Sequence, residues 1–374
     1  MNYYVIAAAV VVGTATGAAS VYWINRGVGT GWIVLGAASV GLGCTMVLTA
    51  GALLVAGPDA YLVVHAVYLA LVIGLPLAGA IVLAFGRPCS PAIIALCVLS
   101  LAAIPVGVYA THIEPFWLRV DAVKVAVDGI GEEVRIGVLA DLETTSIGSY
   151  ENGVVDRLIA QRPDIVVIPG DLHSLDSDLI DEWSPQFTEL IQRLTDAVPF
   201  VYLVNGHSDT ASDLRRIAWG TGARVLDNEI ETFELKGNVF HIAGISLLDD
   251  VYEPAARRVA ERFAHDEFPG VRLLLAHEPD AILLLQGNSV DLLIAGHTHG
   301  GQVAIPFIGP PVTASRVPRQ VAAGGLHELH GTPTYVSTGV GRERGNAPQL
   351  RFGVRPSIGI IDLVAEEWPE AGTG

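Results

Sequence analysis

Charge is missing from the first 111 of the chain's 374 residues, where Arg26, Asp59 and Arg87 are the only charged side chains. A stretch that long and that uncharged would be insoluble by itself, and lipid is the solvent that suits it. Cysteine is scarce too. Cys44, Cys89 and Cys97 all lie in this apolar part and residues 112–374 have none, which excludes a disulfide framework there. Basic residues are also few. Of 39 acidic and 22 basic side chains all but Asp59, Arg26 and Arg87 fall after residue 111, leaving 38 against 20, a net −18 with His neutral. Nucleic-acid binding calls for a basic footprint, and its absence argues against nucleic acid and long polyanions as partners.

Four apolar runs, near Tyr3–Ile24, Gly31–Ala56, Ala60–Phe85 and Pro91–Ala110, each supply the roughly 20 residues a spanning helix needs. The breaks between them hold turn-formers and the few charges. A cleaved signal peptide ending near Ala18-Ala19-Ser20 fits less well, since Met1–Tyr4 lacks a basic start and three more runs follow. Four spans put both termini on one side. Arg26 with Arg87 against Arg119 with Lys124 is a tie that leaves the side open. His65 is the one intramembrane imidazole, a functional candidate by default; a hydrogen bond to a neighbouring helix is its simpler role. Small residues such as Gly36, Gly41 and Gly43 suit close helix packing. Sparse charge within the spans argues against a transporter with a regulatory soluble domain. Residues 1–111 read as a membrane anchor.

Residues 112–132 read as a connector opening on an exposed Glu114-Pro115 pair, 133–366 as an α/β (α+β) domain, and 367–374 as a tail. Strands are expected at Val134–Ala140, Asp164–Pro169 and Phe200–Val204, with helices over Tyr150–Ala160 and from Ser184-Pro185 to Ala197. That alternation is the signature of an α/β domain. A hairpin around Lys236-Gly237-Asn238 and strands at Val271–Ala276, Val290–Ala295, Thr334–Ser337 and Ile358–Val364 follow. Asp141, Asp171, the Gly206-His207 turn, His277, His297 and His299 all fall at C-terminal strand ends, where α/β sheets bind ligands. Asp and His ligate divalent metals, and one Asp can bridge two ions. With Glu143 the set suffices for two metal sites, which can activate water and hold a phosphate for in-line displacement.

These motifs, Ala140-Asp141-Leu142-Glu143, Pro169-Gly170-Asp171, Asn205-Gly206-His207-Ser208-Asp209, Ala276-His277-Glu278 and above all Gly296-His297-Thr298-His299-Gly300-Gly301-Gln302, resemble the calcineurin-like metallophosphoesterases. The branch resembled is that of bacterial membrane-associated or exported phosphodiesterase-like proteins, which implies an outward-facing catalytic domain on the cell membrane. The resemblance runs from about Val134 to Val364. It implies a four-layer α/β/β/α sandwich around two divalent metals and hydrolysis of a phosphoester by a metal-activated hydroxide. It assigns Asp141 and His299 to the first metal, Asp171 to the bridge, and His277 and His297 to the second.

Two motifs depart from the family pattern. Glu143 stands where the family has a ligating His, which hardens the site toward Mn²⁺ or Mg²⁺ over Zn²⁺; Mn²⁺ is favoured, with Mg²⁺, Zn²⁺ and Fe as the other candidates. His207 takes the place of the family's Asn ligand, and Ser208 that of the His that assists the leaving group. A serine hydroxyl holds its proton too tightly to serve as general acid near pH 7. His173 or His207 is expected to supply the proton instead, beside Asp171 in the catalytic set. A small phosphoester or a lipid-linked phosphate fits the charge balance and the bilayer anchor. The alternative is a catalytically weakened metal- or phosphate-binding sensor on the same fold. Arg342 and Arg344 could contact phosphate, though solvated loop arginines are the simpler reading. His327 and His330 read as solvent-loop residues, and Glu278 and Asp280 as first-turn helix residues.

Overall fold

The fold was analysed in a computed structural model, which describes residues 3–56, 60–176, 178–248, 251–252, 254–264, 268–285, 289–343, 345 and 347–365. The expected tail and Arg344 lie outside these residues. The chain divides into two units: the apolar N-terminal helices through Ile113 together with Glu343–Leu350, and a second unit from Glu114 to Arg342 that resumes at Arg351.

In the first unit the four expected runs are helical, and all four are long and apolar enough to cross a membrane: Val5–Asn25, Thr30–Leu54, Tyr61–Phe85 and Pro91–Phe116. With no water to satisfy backbone groups in lipid, the helix is the form such runs must take. The third and fourth contain π-turns, at Ala70–Gly74 and Tyr109–Ile113. Close approach uses glycine, although not all those expected: a Cβ on Gly13 would lie 2.5 Å from the Gly74 carbonyl oxygen, whereas one on Gly43 would meet nothing within 4 Å.

The second unit contains fourteen strands among the described residues: β1 Arg119–Val127, β2 Val134–Val138, β3 Ile165–Pro169, β4 Phe200–Val204, β5 Arg224–Val225, β6 Glu229–Leu235, β7 Asn238–Ile245, β8 Leu247–Leu248, β9 Val251–Tyr252, β10 Val271–Ala276, β11 Leu292–Ala295, β12 Gly325–Leu329, β13 Thr332–Val336 and β14 Ser357–Ala365. One sheet runs β1-β14-β2-β3-β4-β5 and the other β12-β13-β11-β10-β7-β6. Parallel pairing joins β2 through β5 in one, and β7, β10, β11 and β13 in the other. Ile136, Val167 and Tyr202 from the first sheet interlock with Phe240, Leu273 and Ile294 from the second. The outer faces are covered by helices, Phe187 and Leu190 packing on the first sheet and Ala260 and Phe263 on the second. This is the four-layer α/β/β/α sandwich.

Three local expectations change. The stretch read as connector contains β1, whose Val125 and Val127 are buried on the inner face while paired in parallel with β14. Glu114 and Pro115 are buried, and the Glu114 carboxylate accepts the Gly353 amide at 2.9 Å. The helix expected from Ser184 begins at Ile180, with Asp181 and Glu182 favourable in its first turn and Pro185 inside it.

Candidate metal centre

All the candidate ligands sit on loops leaving the C-terminal ends of inner strands. Asp141 and Glu143 follow β2, Asp171 follows β3, His207 follows β4, His277 follows β10, and His297 and His299 follow β11. Parallel neighbours must end on the same edge, so residues remote in sequence meet there. The loops are stitched together: the Asp141 amide donates to Gly170 O at 3.2 Å, Glu143 N to Asp171 O at 2.9 Å, and His297 N to Asp141 Oδ1 at 2.9 Å. Asp141, Glu143, Asp171, His297 and His299 all have positive φ, between 42° and 69°. Left-handed backbone is uncommon outside glycine and persists where surrounding contacts over-determine it, as at functional sites. Glycine is needed beside them: a Cβ on Gly206 would lie 2.2 Å from Asp171 Oδ1, and one on Gly339 (φ 67°) 2.7 Å from Asp141 Oδ2.

Within the second unit alone, donor atoms come within 4.8 Å of one another in two groups, His207 with His277 and His297, and Asp141 with Asp171 and His277. In the first group every imidazole has one nitrogen against an acceptor. His277 Nδ1 faces Pro169 O at 2.9 Å, His297 Nε2 faces Ala314 O at 3.0 Å, and His207 Nε2 faces Glu278 Oε1 at 3.2 Å. An acceptor on one ring nitrogen favours the proton there, the usual outer-shell arrangement of metal-binding histidines. His277 Nε2 and Asp141 Oδ2 are buried without a hydrogen-bond partner, although His277 Nε2 lies 3.2 Å from Asp171 Oδ2. Buried polar atoms left so call for an ion or water. The donor set therefore fits divalent metal ions.

The electrostatics say the same. Burial works against a charged His277, but Asp171 and Asp141 outweigh it and lift its pKa to about 10. Burial, with the neighbouring Asp171 and against the pull of His277, pushes Asp141 up to about 7, while His277 holds Asp171 below the usual carboxylate range despite its burial. Burial and the neighbouring His277 and His207 depress His297 to about 4, so its ring is neutral and free to ligate. A proton on His277 stands in for the charge a metal would bring.

The half around Glu143 and His299 is built differently. His299 Nε2 lies 3.4 Å from Glu143 Oε2, and its Nδ1 is 3.3 Å from Nη2 of Arg351. A guanidinium only donates, so Nδ1 accepts and, in the neutral ring, Nε2 carries its hydrogen toward Glu143. Ligation through Nε2 requires the other tautomer and a small withdrawal from Arg351. Arg351 is fully buried and also donates to Gly341 O (2.9 and 2.7 Å) and Thr338 O (2.8 Å). Burial lowers its pKa to about 10, and Tyr150, Asp141 and Glu143 hold it charged.

Several other expectations resolve. The Ser208 hydroxyl donates to His173 O at 2.6 Å and its amide to Asp171 Oδ1 at 2.8 Å. The His173 ring is buried edge-on against Phe187, its Nδ1 accepting Leu175 N, and it lies in neither donor group. Asp209, fully buried and unremarked in the sequence beyond its motif, accepts the Leu172 and Gly206 amides at 2.7 Å each and ties the β3 and β4 loops together. Glu278 and Asp280 are more than first-turn residues: Glu278 meets His207, and Asp280 accepts Arg316 N at 2.9 Å and the Ser315 hydroxyl. Arg342 stacks over Phe116, 4.9 Å from its ring centre. His327 is on β12, not in a solvent loop, with Nε2 against Gly324 O. Arg351 left no signal in sequence beyond its charge, and Glu278 only its place after His277 at a helix start, since only tertiary contacts give them their partners.

The profile of the calcineurin-like phosphoesterases matches residues 134–301, the stretch from β2 to the glycines after His299. This segment is a calcineurin-like phosphoesterase domain. The chain is similar to the uncharacterized metallophosphoesterase YkuE of Bacillus subtilis, 29% identical over 222 residues, which cover 56% of this chain and 71% of the relative. It is also similar to the phosphodiesterase YaeI of Escherichia coli, 26% identical over 264 residues, covering 68% of this chain and 92% of the relative. A third relative, YkoQ of Bacillus subtilis, again an uncharacterized metallophosphoesterase, is 26% identical over 238 residues, 62% of this chain and 84% of the relative.

Proposed function

We propose that this membrane-anchored metallophosphoesterase hydrolyses a small or lipid-linked phosphoester, most simply a diester, at a two-metal site. The observation that carries the reading is the cluster of His207, His277 and His297, donor atoms of all three within 4.8 Å of one another, one nitrogen of each ring on an acceptor and His277 Nε2 3.2 Å from Asp171 Oδ2. Mn²⁺ or Mg²⁺ suits the carboxylate-rich half at Asp141 and Glu143. Bound divalent ions would supply an activated water and neutralise charge on the phosphate. Asp171 would hold both ions, and against its burial the neighbouring His277, with the Ser208 amide on its oxygen, keeps it ionised. Glu278 keeps the His207 ring oriented, and Asp209 fixes the two loops that carry Asp171 and His207. Proton supply at the leaving group would fall to His207 only while its ring holds a second proton and no metal, since its Nε2 hydrogen is on Glu278; His173, packed on Phe187, is worse placed. A leaving group of low basicity, such as another phosphate, needs little such help. The resemblance to exported proteins supports an outward-facing catalytic unit, which protease accessibility in intact cells would check.

A metal- or phosphate-binding sensor is the second reading, favoured by the Ser208 hydroxyl, whose proton is committed to the His173 carbonyl. The test is hydrolysis of chromogenic phosphodiester and phosphomonoester by the full chain in nanodiscs with Mn²⁺, Mg²⁺ or Zn²⁺, beside Asp171→Asn. Metal-dependent turnover lost in the variant supports the enzyme. Metal binding with no turnover on soluble or lipid phosphoesters supports the sensor.

A further inference from the structure

Between the metal-centre loop and Arg316 the chain runs thirteen residues, 303–315, without a charge, in a unit that is otherwise strongly acidic. Four of its apolar side chains face solvent: Ile305 is 41% exposed, Ile308 64%, Val312 70%, and Phe307 109%. The loop is built to hold them there. Ala304 N bonds to Phe352 O, Ile305 N to Gly309 O, and Gly309 N back to Ile305 O, at 2.7–3.0 Å. Phe307, at the tip, is kept at φ 68°, a conformation bulky residues rarely adopt. Four exposed apolar side chains gathered on one tight loop are the kind of patch that marks a partner or membrane contact.

Its base belongs to the site. Ala314 O accepts the ring hydrogen of His297 at 3.0 Å, and a Cβ on Gly301, in the metal-centre loop, would lie 2.5 Å from Pro310 Cβ. Just beyond, Arg316 and Arg319 are exposed. Apolar and aromatic side chains at the tip with cations at the rim is the composition of an interfacial membrane-binding element, apolar atoms entering the headgroup boundary and the cations meeting lipid phosphates. A bilayer is at hand. The chain has four candidate spans, and the last of them, Pro91–Phe116, runs directly into the second unit, which begins at Glu114.

We propose that the 303–315 loop dips into the bilayer interface and presents a lipid-borne phosphoester to the metal centre. The proposal rests on the lipid branch of the proposed function for its substrate, whereas contact of the loop with lipid stands independently of it. Phe307 and Ile308 enter the interface, Arg316 and Arg319 pair with lipid phosphate, and the bond from His297 to Ala314 O couples the seated loop to the metal centre.

The test has two arms, both with the full chain in nanodiscs holding one copy. In the first, Cys44, Cys89 and Cys97 are replaced by Ser and an environment-sensitive fluorophore is attached at Phe307→Cys or, as control, at exposed Glu182→Cys. Doxyl-labelled phosphatidylglycerol is expected to quench the 307 probe at least fivefold more than the control, with a blue-shifted emission. Equal quenching at the two positions overturns the proposal. So does a blue shift that appears only with two copies per disc, which marks docking on a second copy. In the second arm, with native cysteines, the double variant Phe307→Asp/Ile308→Asp is expected to lower turnover of a lipid phosphodiester at least tenfold and leave a soluble chromogenic diester within twofold. Parallel loss on both substrates, or no loss on either, overturns it. If the wild-type chain turns over neither substrate, the proposed activity fails while the quenching arm still decides the loop.

Discussion

Removing the carboxylate of Glu278 should weaken metal binding without touching a ligand. Its Oε1 lies 3.2 Å from His207 Nε2, with the side chains 18% and 29% exposed. At an effective dielectric of about 20, two full charges at that distance attract by roughly 5 kcal/mol, an upper bound because the pair is partly solvated. A charge-assisted hydrogen bond nets about 1.5–3 kcal/mol, and a neutral acceptor about half that. At 1.36 kcal/mol per decade, Glu278→Ala should cost about 10–100-fold in metal affinity, the range typical of outer-shell partners, and Glu278→Gln about 5–10-fold. Burial opposes charge on Glu278, yet the bond from His207 and the proximity of His297 keep its pKa lowered, so it is ionised through the neutral range where the comparison is made. Competition of Mn²⁺ and Zn²⁺ against a fluorescent chelator at pH 7.5, with the full chain in nanodiscs, measures the effect. An Ala variant with the wild-type midpoint, or Gln and Ala variants that do not differ, would refute the reasoning that Glu278 fixes the His207 tautomer.

Three further outcomes follow from the same geometry. Arg351→Met should leave Gly341 O, Thr338 O and His299 Nδ1 without a donor, lowering the thermal midpoint of the second unit. It should also alter metal stoichiometry selectively in the Glu143 half, read by elemental analysis, because the guanidinium that balances Glu143 is gone. Asp209→Ala should strand two buried amides at about 1–3 kcal/mol each, roughly 2–6 kcal/mol in all, and raise hydrogen exchange at Leu172 and Gly206; Asp209→Asn should cost nearly as much, since its NH₂ would face one of those amides. Metal affinity should rise with pH. The metal-free protein holds a proton on His277 up to about pH 10 and on Asp141 up to about pH 7, so binding expels one proton between 7 and 10 and two below 7. The slope should be about tenfold per pH unit above 7 and steeper below, and calorimetry in buffers of different ionisation enthalpy would count the protons. A flat profile would show that these groups do not yield their protons to the metal.

Much of this was legible in the residues themselves. A 111-residue stretch with three charges can only be satisfied in lipid, so the four spans follow from composition. The alternation of buried strand and amphipathic helix, with glycine, Asp and His at the strand ends, specifies an α/β sheet and names the metal-centre loops, because parallel strands must place their C-terminal ends together. What sequence could not show were relations set by distance across the fold. β1 looked like a connector because its charged positions masked a one-sided apolar register that acquires meaning only beside β14. Glu278 and Asp280 looked like helix-start residues because the His207 ring and the amide of Arg316 come from remote segments. Arg351, one arginine among many, becomes a buried cation under His299 only when the last loop folds beneath the first. Local periodicity determined the elements and so put the candidate ligands at strand ends; tautomers, charge partners and the exposed apolar tip at Phe307 were decided by tertiary packing, since each depends on which remote atoms lie within a few ångströms.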